Sequence, residues 1–257
     1  EMEGHPYTGA GPQALMVTRN KAMSKKILAH HGLSVPSFFV VRQGESIPRS
    51  KADLFFPAIV KPLRLDASQG ISQASVVNDP AQLKERVGFI HARLGDAAIV
   101  EQFIDGRELY VTVMGNGRQV RCLPPVELVF SDKLSRPEQR IVTKRTKWDE
   151  EYCAERGIEL QVAKGLSKQV LDDIRRTCLA GYRALWLRDY GRFDIRLDGD
   201  GQIWVLEGNA NPYLCDGHEA ALAARKSGLS YPEFIERIAK IAARRHRRER
   251  RRTTRRR

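Results

Sequence analysis

Along Arg192-Phe193-Asp194-Ile195-Arg196-Leu197 polar and apolar residues alternate strictly. A strand here would show Arg192 and Asp194 on one face and Phe193, Ile195 and Leu197 on the other. A second apolar run, 202–208, follows the turn Asp198-Gly199-Asp200-Gly201 and ends in Glu207-Gly208-Asn209-Ala210-Asn211-Pro212. Pairing Leu197 with Gln202 would set Arg192 opposite Glu207, with Asp194 diagonal to it and Asn209 pointing the same way. A slip of one residue reverses the face, so the arrangement depends on register. Two carboxylates and a carboxamide on one face repel unless a cation joins them. Such oxygen donors suit Mg²⁺, whose shell phosphates and water would complete. The alternative is a solvated acidic strand edge. Against it stands the abrupt passage from buried strand into a Gly/Asn/Pro turn, as at strand ends that line sites.

Several elements must position this hairpin. Asn20 caps a helix running to about residue 31, with Met23, Ile27 and Leu28 on one face and Gly32 ending it. Strands are expected at 37–42 and 56–61, the second leading into a loop, 62–72, that holds Ala67-Ser68-Gln69-Gly70. Asp79-Pro80 opens a helix to about residue 94. Two strands, 97–104 and 108–114, meet at Asp105-Gly106, a hairpin signal, and Asn116-Gly117 turns the chain into 118–123. Residues 131–165 are charged and aperiodic and read as a long loop, of the kind that serves as a lid or is disordered. Ser167 caps a helix to about residue 188, and its stripe Val170, Leu171, Ile174, Cys178, Tyr182, Leu185 and Trp186 reads as core. Short helices at 216–227 and 232–243 follow.

Composition narrows the function. The net charge is +13, but 244–257 alone holds ten arginines and one glutamate, which leaves a nearly neutral body. Such a block reads as a disordered tail with loose affinity for any polyanion, and it lacks the aromatic platforms of a dedicated nucleic-acid site. No apolar run is long enough for a membrane span, and no signal segment opens the chain, so the cytoplasm is the default compartment. Cys122, Cys153, Cys178 and Cys215 are scattered, without metal or redox spacing. The opening residues, Glu1 to Gly9, read as the end of an earlier element, so the chain is expected to be part of a longer protein.

At these motifs the sequence resembles the ATP-grasp enzymes, specifically the D-alanine–D-alanine ligase branch. Gly191-Arg192-Phe193-Asp194 and Leu206-Glu207-Gly208-Asn209-Ala210-Asn211-Pro212 are similar to its metal-binding signature. Pro6-Tyr7-Thr8-Gly9 and Asn20-Lys21 with Lys25 resemble the start of its central domain. Phe56-Pro57-Ala58-Ile59-Val60-Lys61-Pro62 resembles its phosphate-lysine strand, and Glu101-Gln102-Phe103-Ile104 with Glu108 its adenine hinge. No single motif is specific; six in the right order are.

The resemblance implies an α+β ATP-grasp fold, two α+β lobes clasping ATP, with a basic disordered tail. Its parts would be the end of a preceding domain or linker (1–20), a small lobe and linking helix (21–115), a large lobe with the metal site (116–243) and the tail (244–257). It implies a carboxylate–amine ligase working through an acyl phosphate, with ATP and one or two Mg²⁺ ions (Mn²⁺ as a substitute) and small-molecule carboxylate and amine substrates. Lys21 and Lys61 would meet the phosphates, joined on closure by Lys147. Ser68, Gln69 and Gly70 would fold over the triphosphate. Glu101, with the backbone of Gln102 and Ile104, would hold adenine, and Glu108 the ribose. Asp194, Glu207 and Asn209 would bind metal, and Arg192 would stabilise the acyl phosphate and tetrahedral intermediate. Ala67-Ser68 stands for the family's paired serines and Gln102 for its hinge lysine, and further departures fall at the acceptor end. Tyr213 stands where the family has a small turn and His218 where it keeps a serine, which points to an amino acid or peptide substrate other than D-alanine. A homodimer is compatible with this reading. An ATP-grasp phosphotransferase, an ATP-binding protein without turnover, and nucleic-acid association through the arginines are the other readings.

Overall fold

Two antiparallel sheets face each other across a cleft in the computed structural model, which describes residues 4–48, 55–131, 134 and 136–254. The smaller sheet has the order β1 (Phe38–Val41), β4 (Ala98–Gln102), β2 (Ala58–Pro62), β3 (Val76–Val77). Strand alternation gives it two unlike faces. Val41, Ala58, Val60, Ala98 and Val100 pack against Leu83 and Val87 of helix α3 (Pro80–Phe89). The opposite face carries Lys61 and Glu101, diagonal neighbours because Ile59 pairs with Glu101 and Lys61 with Ile99. Asp79 caps α3 by accepting from Gln82 N–H at 2.9 Å, with Pro80 at the first helical position, as expected.

The larger sheet runs β10 (Ile203–Asn209), β9 (Tyr190–Leu197), β5 (Arg107–Met114), β7 (Val126–Val129), β8 (Glu159–Val162), with β6 (Arg121–Cys122) paired to β5. On one face Leu109, Val111, Phe193, Ile195 and Val205 form a core with three helices. These are α1 (Pro12–Arg19), α2 (Lys21–His30) and α6 (Lys168–Ala184). The N-caps read from the sequence form: Asn20 accepts from Met23 N–H at 3.1 Å, and Ser167 from Val170 N–H at 3.2 Å. Glu108, Tyr110, Arg192, Asp194 and Arg196 occupy the other face and line the cleft. Helices α7 (Glu219–Lys226) and α8 (Tyr231–Thr254) cover Met114 and Val126.

Five expectations need correction. The strands around Asp105-Gly106 form no hairpin; β4 belongs to the small sheet and β5 to the large one, so this turn carries the chain between lobes. Gly106 makes that passage, with φ +142° and room only for hydrogen, since a Cβ would lie 2.2 Å from Leu197 O. Residues 131–165 hold β8 and two short helices, α4 (Lys144–Trp148) and α5 (Glu150–Arg156). Their caps, Thr143 and Asp149, organise segments too short to show periodicity. In the stripe of α6, Leu171 and Trp186 are exposed, and the helix ends at Ala184. An unforeseen helix, α1, precedes Asn20. Finally, α8 continues past residue 243 to Thr254. Arg245 anchors this extension, pairing at 3.0 Å with the fully buried Asp189 and donating to Tyr7 O at 2.8 Å. The last part of the expected disordered tail, 255–257, lies outside the described residues.

Candidate active site

The cleft between the sheets has a volume of about 1340 Å³, and the residues singled out above for a site line it, except Gln69 and Gly70. On the small-lobe wall, three lysines gather. Lys21, the first residue of α2, donates to Leu65 O at 2.6 Å, at the start of the phosphate loop. Lys61 Nζ lies 2.9 Å from Glu101 Oε2, and Lys25 Nζ lies 3.4 Å from Glu101 Oε1. Glu101 and Lys25 are 1% and 0% exposed. One carboxylate thus serves two buried ammonium groups and leaves a net positive wall for anions. Burial pulls Lys25 down to about 8 despite the pull of Glu101. Lys61, although its burial works the other way, is held above the ordinary lysine range by Glu101. Glu101 stays below its ordinary value because the attraction of Lys25 and Lys61 outweighs its desolvation.

The Glu101 side chain, which the resemblance assigned to adenine, pairs with two lysines while still lining the cleft. The neighbouring backbone is also engaged, with Gln102 N–H donating to Ser37 O at 2.8 Å and Ile104 O accepting from Arg196 at 3.1 Å. Glu108 is held by Arg196 at 2.7 and 3.2 Å and accepts from Tyr110 O–H at 3.3 Å. In the phosphate loop Ala67, Ser68 and Gly70 all take left-handed φ values, +54°, +57° and +69°. Ser68 lines the cleft, while Gly70 turns away, its carbonyl accepting from Arg86. The amide of Gln69 is used within the loop, donating to Asp66 O at 3.1 Å.

The large-lobe wall corrects the expected register. Leu197 pairs with Ile203, one residue beyond the sequence reading, and a bulge at Leu206 then brings Glu207 directly opposite Asp194. Lys25 stabilises this bulge by donating to Leu206 O at 2.6 Å. Asn209 lies opposite Arg192. Arg192 grips Asp194 with two bonds, Nε to Oδ1 at 2.7 Å and Nη2 to Oδ2 at 2.9 Å. Its Nη1 faces Glu219 Oε1 at 3.4 Å. Though buried, Arg192 is pushed further up by the carboxylates of Asp194 and Glu219.

Asn209 Nδ2 is buried and has no hydrogen-bond partner. An amide in that state can turn its oxygen toward a cation beside Asp194 and Glu207. Two carboxylates and one amide are hard oxygen donors that fit Mg²⁺. Among the described residues no three His, Cys, Asp or Glu side chains cluster in a way that could hold a metal ion by themselves.

At the far end, Lys147 and Trp148 reach the cleft from α4. Trp148 meets Tyr213 edge-on at 5.3 Å between ring centroids, and Tyr213 meets His218 at 4.7 Å. Four residues here were missed as site residues in the sequence. Lys25 stands one helical turn after Lys21, and Arg196 shares the polar face of Asp194; spacing could have found both. Glu219 and Trp148 carried no pattern that sets them apart from surface residues.

Comparisons agree with this architecture. The family model for the D-ala D-ala ligase C-terminus matches residues 27–240. An uncharacterised protein, y4sG, from Sinorhizobium fredii is 36% identical over 246 residues, covering 96% of this chain and 69% of that protein. A D-alanine–D-alanine ligase from Bordetella petrii is 31% identical over 244 residues, covering 95% and 70%. The ATP complex of the D-alanine–D-alanine ligase from Bacillus anthracis superposes with a TM-score of 0.78 at 21% identity, over 96% of this chain and 74% of that one. Among the described residues no helix is long and apolar enough to cross a membrane.

Proposed function

The chain belongs to the D-alanine–D-alanine ligase family of ATP-grasp enzymes, and on that premise we propose that it uses ATP to join a small-molecule carboxylate to an amine other than D-alanine. It is an ATP-dependent ligase forming a carbon–nitrogen bond. The observation that carries the fuller reading is the facing of two walls across one cleft: buried lysines on one side, and Asp194, Glu207, Asn209 and Arg192 on the other.

A carboxylate is a poor electrophile. Its oxygen attacks the γ-phosphorus, the bond to ADP breaks, and an acyl phosphate results. The amine nitrogen then attacks the carbonyl carbon and the C–N bond forms; the bond from that carbon to the bridging oxygen breaks, phosphate leaves with its electron pair, and the nitrogen gives up a proton to the departing phosphate or to solvent. Lys21 and Lys61 offset the charge of the triphosphate as it meets a second anion. Arg192, rigidly held, stabilises charge on the reacting carboxyl group. Held by Asp194, Glu207 and Asn209, one or two Mg²⁺ ions (or Mn²⁺) would supply further neutralisation of the phosphates. Lys147 and Trp148, from the short helix over the cleft, exclude water that would hydrolyse the activated acyl group. Tyr213 and His218 shape the acceptor end differently from a small turn. The setting in this reading is cytoplasmic.

ADP and phosphate release by the full-length protein, measured over a panel of carboxylates and amines, tests the proposal. Amide product with stoichiometric ADP is the expected result. Failure to bind MgATP at millimolar concentration would sink it.

A further inference from the structure

We propose that the acceptor end of the cleft selects a basic amine whose attacking nitrogen carries no neighbouring carboxylate, an α,ω-diamine being the simplest case, with Glu219 holding its ammonium group. This rests on the ligase reading above and adds the class of its amine substrate.

An acceptor with a carboxylate is best served by an uncommitted cation beside the reacting centre. The guanidinium of Arg192, already claimed by the reacting carboxyl group, has little to offer a second carboxylate: Nε and Nη2 bind Asp194, Nη1 lies near Glu219, and its flat side lies 5.1 Å from the centroid of Tyr110. Lys147 also reaches the cleft, but in the ligase reading it joins the phosphates on closure. A carboxylate arriving beside Arg192 would meet the Glu219 carboxylate, and like charges in a closed site cost several kcal/mol.

Glu219 is suited to the opposite charge. It is 8% exposed, lines the cleft, and is fixed as the first residue of α7. Its 3.4 Å approach to Arg192 is longer than the roughly 2.7–2.9 Å of a charge-assisted hydrogen bond, so its oxygens keep acceptor capacity for a second cation. The adjoining wall is aromatic: Tyr213 meets both Trp148 and His218 edge to face, and Trp148 and Tyr213 remain about half exposed, at 49% and 46%. Aromatic faces next to a buried carboxylate attract an ammonium group and cover the methylenes of an alkyl amine.

Calorimetric titration of the full-length protein, saturated with Mg²⁺ and a non-hydrolysable ATP analogue, tests this with D-alanine, D-alaninamide and 1,4-diaminobutane. The amide and the diamine should each bind at least about tenfold more tightly than D-alanine. Glu219→Gln should weaken the diamine about tenfold, with nucleotide affinity unchanged. D-alanine binding as tightly as its amide would overturn the proposal, as would an unaltered diamine affinity in the variant or no binding of any of the three amines. The comparison of D-alanine with its amide uses the wild-type protein and needs no variant to fold. Nucleotide binding is measured first. Its absence would count against the ligase reading, whereas nucleotide binding with a preference for D-alanine would count against this proposal alone.

Discussion

Replacing Glu101 by Gln should destabilise the protein well beyond the loss of one hydrogen bond. The side chain is 1% exposed, 2.9 Å from Lys61 and 3.4 Å from Lys25, which is itself fully buried. The isosteric amide keeps the shape and removes the nearest charge balancing two ammonium groups. Breaking a buried pair by neutralising one partner costs about 3–5 kcal/mol. For a chain of 257 residues, each kcal/mol lowers the melting temperature by roughly 2–4 °C, so a fall of about 6–20 °C is expected. Urea unfolding at pH 7 measures the free energy, and a double-mutant cycle identifies its source. If uncompensated lysine charge is the cause, Lys25→Met should cost less in the Glu101→Gln background than alone, with a coupling of about 1–3 kcal/mol. A loss below about 1 kcal/mol, or strict additivity, would refute the reasoning.

Other consequences follow from the same geometry. Lys25, lowered to about 8, gives up its proton more readily in the folded chain than in the unfolded one. Stability should therefore rise between pH 8 and about 10.5, and Lys25→Met should remove most of that rise, as urea midpoints across this range would show. Gly106→Ala should cost at least about 2 kcal/mol in urea, because its φ is +142° and the new methyl would strike Leu197 O. Asp194→Asn should lower ADP formation on the order of 10²-fold or more, while circular dichroism stays that of the wild type. A chelator should abolish turnover in the wild-type protein, and Mg²⁺ or Mn²⁺ should restore it.

The polar face of β9 was legible in its sequence, because alternation of period 2 survives any register. The register itself was not. Nothing in Trp204-Val205-Leu206-Glu207 announces a bulge, which depends on Lys25, some 180 residues away, binding the carbonyl of Leu206. Likewise Asp105-Gly106 carries the local chemistry of a turn, and only packing decides whether the strands on either side pair with each other. Glu101 shows the same limit. Its place on a strand could be read, but its two lysine partners come from a distant helix and a neighbouring strand. Caps with side-chain oxygens were readable at Asn20, Asp79 and Ser167, since their bonds are local. Helices α4 and α5 had caps too, yet they are too short for a hydrophobic period to mark them.

The central claim, that ATP activates a carboxylate through an acyl phosphate, is tested most directly by following oxygen. The full-length protein would be given MgATP, an amine and a carboxylate labelled with ¹⁸O in both oxygens. Activation through an acyl phosphate requires ADP and phosphate in equal amounts, with one ¹⁸O atom in each phosphate released and one retained in the amide. Unlabelled phosphate, or AMP with pyrophosphate, would contradict it.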